Sequence, residues 1–173
     1  MRVTVLVLAS MLAANAAWSA NAPTQSLTPA APTPPGQFRD WSKGCEQVPG
    51  ETSQRCYIFQ TVTLNESDQP IIKAVIGHLT DNPKETVLVL TAPLGVYLPD
   101  GVELDAGKYL RRETHDYLTC DNKGCRAVIE LTSARLKAFK QAPKVKITIK
   151  DGQHRAIEIP LSLRGLTAGL DAL

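Results

Sequence analysis

The residues of this chain that could carry acid–base chemistry are three histidines, and they do not converge. His78, His115 and His154 fall on different predicted elements. No Gly-x-Ser-x-Gly elbow or similar nucleophile motif accompanies them. A partly buried histidine paired with a carboxylate in a cleft is the arrangement that would argue for an enzyme. The sequence alone predicts no catalytic residue, and hence no enzyme.

A short acidic cluster is the second group of residues with catalytic potential, because paired carboxylates can hydrolyse glycosides. It consists of Asp100, Glu103 and Asp105. The segment Pro99-Asp100-Gly101 has turn composition, and the other two acids would alternate outward on a short strand. The glycines are spaced for turns rather than for a phosphate-binding loop. The cluster is therefore interpreted as a solvated face, and no cofactor is predicted.

Four cysteines offer disulfide or metal chemistry: Cys45, Cys56, Cys120 and Cys125. Their spacings are not the Cys-x-x-Cys of zinc and redox sites, and the histidines are distant from them. Residues 1–22 have the features of a secretory signal peptide, and an even number of cysteines in an exported chain favours disulfides over a metal site. No metal site is predicted.

Turn chemistry favours one pairing of these cysteines. A hairpin over 118–131 with its tip at 121–124 places Cys120 directly opposite Cys125, close enough to bridge. Cys45 and Cys56 are then the remaining pair and would close a loop of about a dozen residues. A cross-link from either of them to the hairpin stays open as an alternative.

The distribution of charge is more informative than the formal net charge of +2. Residues 37–122 carry 8 basic and 13 acidic side chains, whereas residues 123–164 carry 10 basic and 3 acidic ones. Lys144, Lys146 and Lys150 alternate along one predicted strand, and a basic face there could bind anionic envelope material or host glycans. The same pattern is typical of a lysine-lined edge hairpin that resists aggregation.

Short β-type segments separated by turn residues must position these groups. Runs rich in β-branched and aromatic residues cover 54–64, 71–79 and 86–93. Helical periodicity is found over 132–141, with Thr132 or Ser133 as the N-cap, and a second short helix is predicted near 163–173. The sequence predicts a mostly β fold: an antiparallel sandwich or barrel-like domain with one or two short helices, held together by disulfides.

The last predicted hairpin allows a test of register. A three-residue loop at 150–152 pairs Val145 with Ile157 and places Gly152 at a left-handed bulge position. Six apolar residues are assigned to the core of the domain: Trp41, Phe59, Leu94, Val96, Ile147 and Ile157.

The N-terminal residues precede the predicted domain. Residues 1–22 combine a positive start, an apolar run and small residues, which predicts a secretory signal peptide cleaved between 16 and 22. Residues 23–36 form a Pro/Ala/Thr-rich linker, and the domain covers 37–173. No second long apolar run predicts a transmembrane segment, and the nearly neutral total gives no indication of nucleic-acid binding.

Five sequence blocks, taken together with their order and spacing along the chain, resemble the invasion-associated locus B proteins of Gram-negative bacteria. The most distinctive is 92–102, similar to the Pro-Leu-Gly-Val…Gly-Val segment of that family. The C-terminal block, 161–166, differs from the family in having Leu166 where an aromatic residue is common, and this change is expected to alter packing only. The blocks are Phe38-Arg39-Asp40-Trp41 followed by Cys45, then 56–60, 92–102, 120–127 and 161–166.

The resemblance implies an exported, β-rich protein that is periplasmic or associated with the outer surface. It implies a link to host-cell invasion. It implies no catalytic residues. The expected partner is an envelope or host-surface ligand of unknown identity, and the alternative is a periplasmic housekeeping factor that binds peptidoglycan, lipopolysaccharide or a protein. Neither the resemblance nor the residues predict an oligomeric state.

Overall fold

The computed structural model describes residues 36–47, 54–63, 69–79, 82 and 85–173. The predicted signal peptide and the predicted linker up to residue 35 lie outside the described residues, so both stay predictions. Within those ranges, no helix is long and apolar enough to span a membrane.

Most of the described chain is strand. The strands are β1 (Gln37–Phe38), β2 (Trp41–Gln47), β3 (Gln54–Thr63), β4 (Pro70–His78), β5 (Thr86–Ala92), β6 (Val102–Asp105), β7 (Glu113–His115), β8 (Thr119–Asp121), β9 (Gly124–Glu130), β10 (Lys144–Lys150) and β11 (Ala156–Ser162). The helices are α1 (Ser133–Gln141) and α2 (Leu166–Leu170), and Leu98–Asp100 forms a 3₁₀ turn. The Thr132 hydroxyl accepts a hydrogen bond from the Arg135 N–H and so caps α1, as predicted for Thr132 or Ser133.

The strands form two antiparallel sheets around one core. The large sheet has seven strands in the order β1-β2-β3-β4-β5-β9-β8, and the small sheet has four in the order β11-β10-β6-β7. Alternate side chains of both sheets point into the shared interior, where Ile58 and Ile147 are fully buried. Phe139 of α1 joins the same core. The predicted mostly β, disulfide-linked fold with short helices is confirmed.

Two of the six core assignments are wrong. Trp41 and Ile147 are fully buried, and Val96 and Ile157 pack against the core partly buried. Phe59 instead lies on the outward face of β3, because its neighbours Ile58 and Gln60 occupy the inward positions. Leu94 follows the end of β5 and is 60% exposed.

The register predicted for the last hairpin is also wrong. Val145 pairs with Leu161 rather than Ile157, and five residues, 151–155, separate the strands. The Asp151 carboxylate accepts the N–H groups of Gln153 and Arg155, both at 2.9 Å, which stabilises this wider loop. His154, rather than Gly152, adopts the left-handed conformation, with φ 61°. The partners in β11 are shifted by an even number of residues, so the same side chains point inward and outward as predicted.

Both disulfides join residues that face each other across neighbouring strands. Cys45 of β2 bonds to Cys56 of β3, and Cys120 of β8 bonds to Cys125 of β9. The predicted connectivity is confirmed, and the alternative cross-link between the two regions is excluded.

A buried glutamine joins the two sheets. Gln60 of β3 is 9% exposed, and its amide nitrogen donates to the carbonyls of Asp40 at 3.0 Å and Ser162 at 3.2 Å. Its amide oxygen accepts the Ser162 N–H at 3.1 Å. The Ser162 carbonyl also accepts the indole N–H of Trp41 at 3.0 Å. These bonds satisfy buried backbone groups of β11 that no sheet neighbour reaches.

Close backbone packing completes this junction at Gly165. Its φ of 89° is left-handed, and a Cβ atom there would overlap the Phe38 carbonyl. Leu166, which follows it, is fully buried in the core. The beginning and the end of the domain are thereby held against each other.

Candidate functional site

The outward face of the large sheet carries a row of aromatic and aliphatic side chains that no second layer of described residues covers completely. Phe59 faces Val75 across β3 and β4, and Val75 faces Val89 across β4 and β5. Val89 in turn faces Val128 of β9, which is 38% exposed. Tyr57 lies beside Phe59, with their ring centroids 6.1 Å apart. We call these five residues the apolar row.

A groove of about 840 Å³ runs along this face. Tyr57, Val75 and Val89 of the apolar row line it. The Tyr57 ring lies over Gly44, where a Cβ atom would be only 2.9 Å from the ring carbon Cε2. The groove has the size of ordinary small-molecule sites, which are about 300–1,000 Å³.

A polar row crosses the same face next to the apolar row. Lys73 of β4 faces Thr91 of β5, which faces Arg126 of β9. Lys123 also lines the groove, and among the described lining residues Glu46 is the carboxylate that opposes these three cations. The Lys73 ammonium is 5.4 Å from the centre of the Phe59 ring, a cation–π contact.

Arg126 is partly neutralised by an acid outside the groove lining. Its Nη2 lies 2.8 Å from Asp121 Oδ2 of β8. The pair is exposed, with each side chain 39% accessible, so the interaction contributes little stability but holds the guanidinium near the groove.

A smaller, apolar cleft of about 310 Å³ opens where the two sheets meet. Ile71, Val96, Ile149 and Ile157 form its walls. The residues that it shares with the groove are Pro70, Pro93 and Leu94, so the two cavities are adjacent.

The three lysines predicted as an anion-binding face share the outward side of β10. Lys146 Nζ lies 2.7 Å from Glu158 Oε1, and Lys150 Nζ lies 2.5 Å from Asp100 Oδ2. The hydrogen bond from Lys150 to Asp100 and the charge of Asp100 raise the pKa of Lys150. Lys144 is exposed. Two of the three lysines thus face a carboxylate, and anion binding by this face stays a prediction.

Comparison with protein families identifies the chain. The family model described as invasion associated locus B (IalB) protein matches residues 41–173, which include both disulfides and the described strands from β2 to β11. The chain belongs to the invasion-associated locus B family.

A solved structure has the same fold as this family member. It is described as the crystal structure of invasion associated protein b from Bartonella henselae. The TM-score is 0.67 at 16% identity, and the likeness covers 79% of this chain and 91% of that chain. None of the curated proteins matches the chain.

The sequence blocks that carry the invasion-associated locus B resemblance have structural positions of two kinds. Blocks 38–41 and 161–166 meet at the junction of Gln60, Trp41 and Ser162. Block 92–102 leads from β5 to β6, and its residues 93–96 line the cleft. Blocks 38–41 and 161–166 therefore maintain the fold, whereas block 92–102 contributes to a cavity.

A partly buried histidine beside a carboxylate is present in this family member. His115 Nε2 of β7 lies 3.5 Å from Glu113 Oε2 and makes no hydrogen bond to a described group. The same oxygen, Glu113 Oε2, accepts a 2.8 Å hydrogen bond from Arg135 Nε, so the carboxylate lies between the arginine and the histidine and is closer to the arginine. The groove and the cleft are lined by other residues.

The other histidines lie elsewhere. His78 is exposed at the end of β4, and the His154 ring stacks on Tyr97 with centroids 3.8 Å apart. As predicted, Glu103 and Asp105 alternate outward on β6. In the part of the chain that the structure describes, no three His, Cys, Asp or Glu side chains are grouped as a metal site would require.

The position of His115 predicts a pH dependence of stability. Burial, followed by the charge of Arg135, lowers the pKa of His115 below its usual 6.5, although Glu113 opposes the shift. The unfolded chain therefore binds a proton at a pH where the folded chain does not. The free energy of unfolding is expected to fall as the pH decreases below about 6.5.

Urea denaturation of the wild type and of His115→Gln at pH 7.5 and pH 5.5 measures this dependence. The variant is expected to lose less stability than the wild type between the two pH values. An identical loss in both proteins would show that His115 does not contribute.

Proposed function

We propose that this protein is an exported, non-enzymatic component of the cell envelope that binds a ligand in the groove of the large sheet and thereby supports interaction with host cells. The observation that carries the proposal is the partly exposed apolar row beside the polar row of Lys73, Thr91 and Arg126. Exposed apolar surface rimmed by polar residues is typical of binding sites.

Two further features support export to the envelope. The two disulfides are typical of proteins that fold in oxidising compartments such as the periplasm or the cell surface. The invasion-associated locus B relative from Bartonella henselae is described as an invasion associated protein, which favours a role at the host contact. The alternative function is a periplasmic housekeeping factor that uses the same groove for an envelope component.

Retention of membranes by the purified, oxidised protein tests this proposal. Host-cell membranes and bacterial envelope fractions are offered separately to the wild type and to a groove variant carrying Tyr57→Ser and Val75→Ser. The variant is expected to retain about tenfold less material, because small numbers of central contacts dominate binding.

A matched control removes a similar amount of exposed apolar surface elsewhere. Leu98 and Leu118 are 47% and 73% exposed and line neither the groove nor the cleft. Leu98→Ser with Leu118→Ser is expected to retain as much as the wild type. Groove-dependent retention of host membranes supports the host role, and groove-dependent retention of envelope material alone supports the housekeeping role. Equal retention by all three proteins would contradict a binding function for the groove.

A further inference from the structure

The groove and the cleft are adjacent cavities with two different chemistries, and we call them together the depression. They meet at the lining residues Pro70, Pro93 and Leu94. Leu94 is 60% exposed at this boundary, although an aliphatic side chain gains by leaving water. A ligand that extends from one cavity into the other would cover it.

The cleft is suited to an alkyl chain. Most of its lining is apolar and includes Ile71, Val96, Ile149 and Ile157 together with the two prolines. The polar residues of the lining are Gln69 and Asp151. Ile71 and Ile149 also belong to the core, so the bottom of the cleft is fixed by the packing of the two sheets. Its volume of about 310 Å³ is appropriate to one chain rather than to a bilayer surface.

The polar row provides a place for an anion next to the cleft. Lys73 and Arg126 stand on either side of Thr91, whose hydroxyl can donate a hydrogen bond between the two cations. Thr91 and Pro93 are two positions apart, which in an extended strand is about 7 Å. An anionic group over Thr91 is therefore a short distance from the mouth of the cleft.

We propose that this depression binds a monomeric amphiphile with one alkyl chain and an anionic head group. The chain occupies the cleft, Leu94 covers its upper part, and the phosphate or carboxylate head lies between Lys73 and Arg126. The inference rests on the proposed function and names the ligand class of the same site.

Calorimetric titration with dodecyl phosphate, below its micelle concentration, tests the ligand class with the oxidised protein. One molecule is expected to bind per chain. Decyl phosphate should bind about tenfold more weakly, because two fewer methylenes leave water. Inorganic phosphate and dodecyl maltoside, which lack the chain and the charge respectively, should each bind at least tenfold more weakly than dodecyl phosphate.

Two pairs of variants with equal net charge locate the site. Leu94→Glu is expected to lower the affinity for dodecyl phosphate at least tenfold, whereas Leu118→Glu, on another exposed leucine, leaves it unchanged. Lys73→Gln with Lys123→Gln should lower it about tenfold. Its control is the same change at the exposed α1 residues Lys137 and Lys140, which should have no effect.

The outcomes separate this inference from the proposed function. Absence of dodecyl phosphate binding, or equal binding of decyl phosphate, would overturn the amphiphile proposal, while groove-dependent membrane retention would leave the proposed function intact. Binding that is lost only when Lys144, Lys146 and Lys150 are replaced by glutamine would assign anion recognition to β10 and overturn the groove as the head-group site.

Discussion

Removal of both disulfides is expected to lower the free energy of unfolding by about 5 kcal/mol, with Cys45–Cys56 contributing about 3 and Cys120–Cys125 about 2. The difference follows from the loops, whose cysteines are 11 and 5 residues apart, since a longer cross-linked loop restricts the unfolded chain more. The free energy of unfolding of a domain is about 5–15 kcal/mol in total, so the chain that lacks both disulfides should be close to unfolding at 25 °C.

Urea denaturation of the paired substitutions Cys45→Ala/Cys56→Ala and Cys120→Ala/Cys125→Ala measures each contribution, and their combination measures the sum. The two disulfides join different strand pairs, so the separate losses should add. Unchanged stability of the chain lacking all four cysteines would show that the sheets alone determine the fold.

Replacement of Gln60 by leucine is expected to lower the free energy of unfolding by about 3 kcal/mol. The leucine keeps the volume but leaves the Ser162 N–H and the Asp40 carbonyl without the partner that the Gln60 amide supplies. A buried backbone group that loses its hydrogen bond retains the full cost of desolvation.

Ser162→Ala is the matched control, because Gln60 contacts the backbone of Ser162 and not its hydroxyl. The hydroxyl donates to Asp40 Oδ2 at 2.6 Å in an exposed position, so its removal should cost about 1 kcal/mol or less. Equal losses in Gln60→Leu and Ser162→Ala would contradict the assignment of the stability to the amide.

The sequence was sufficient to predict the features that depend on local chemistry. The Cys120–Cys125 pairing follows from turn residues between two short strands, and the α1 cap follows from Thr132 at the start of a helical period. The inward and outward alternation of β10 was predicted because the side-chain period of a strand is two.

Features that depend on tertiary contacts were not predictable. The loop between β10 and β11 is wider than expected because the Asp151 carboxylate accepts two N–H groups within it, in addition to the backbone bond from the His154 N–H to the Asp151 carbonyl. The apolar row was missed for a different reason: β4 and β5 have apolar residues on both faces, which is typical of strands covered on both sides. Gln60 gave no signal, because a single glutamine in an apolar strand does not identify its distant partners.

The junction at Ser162 has a consequence for the order of events during synthesis. Ser162 binds Trp41 and Gln60, which precede it by 121 and 102 residues, so the closing contacts have a very long sequence separation. β11 is the last of the described strands to be synthesised, and until then the Gln60 amide of β3 lacks its bonds to Ser162. Strands β2 and β3 of the described domain therefore cannot be joined to β11 at this junction until synthesis has passed Ser162.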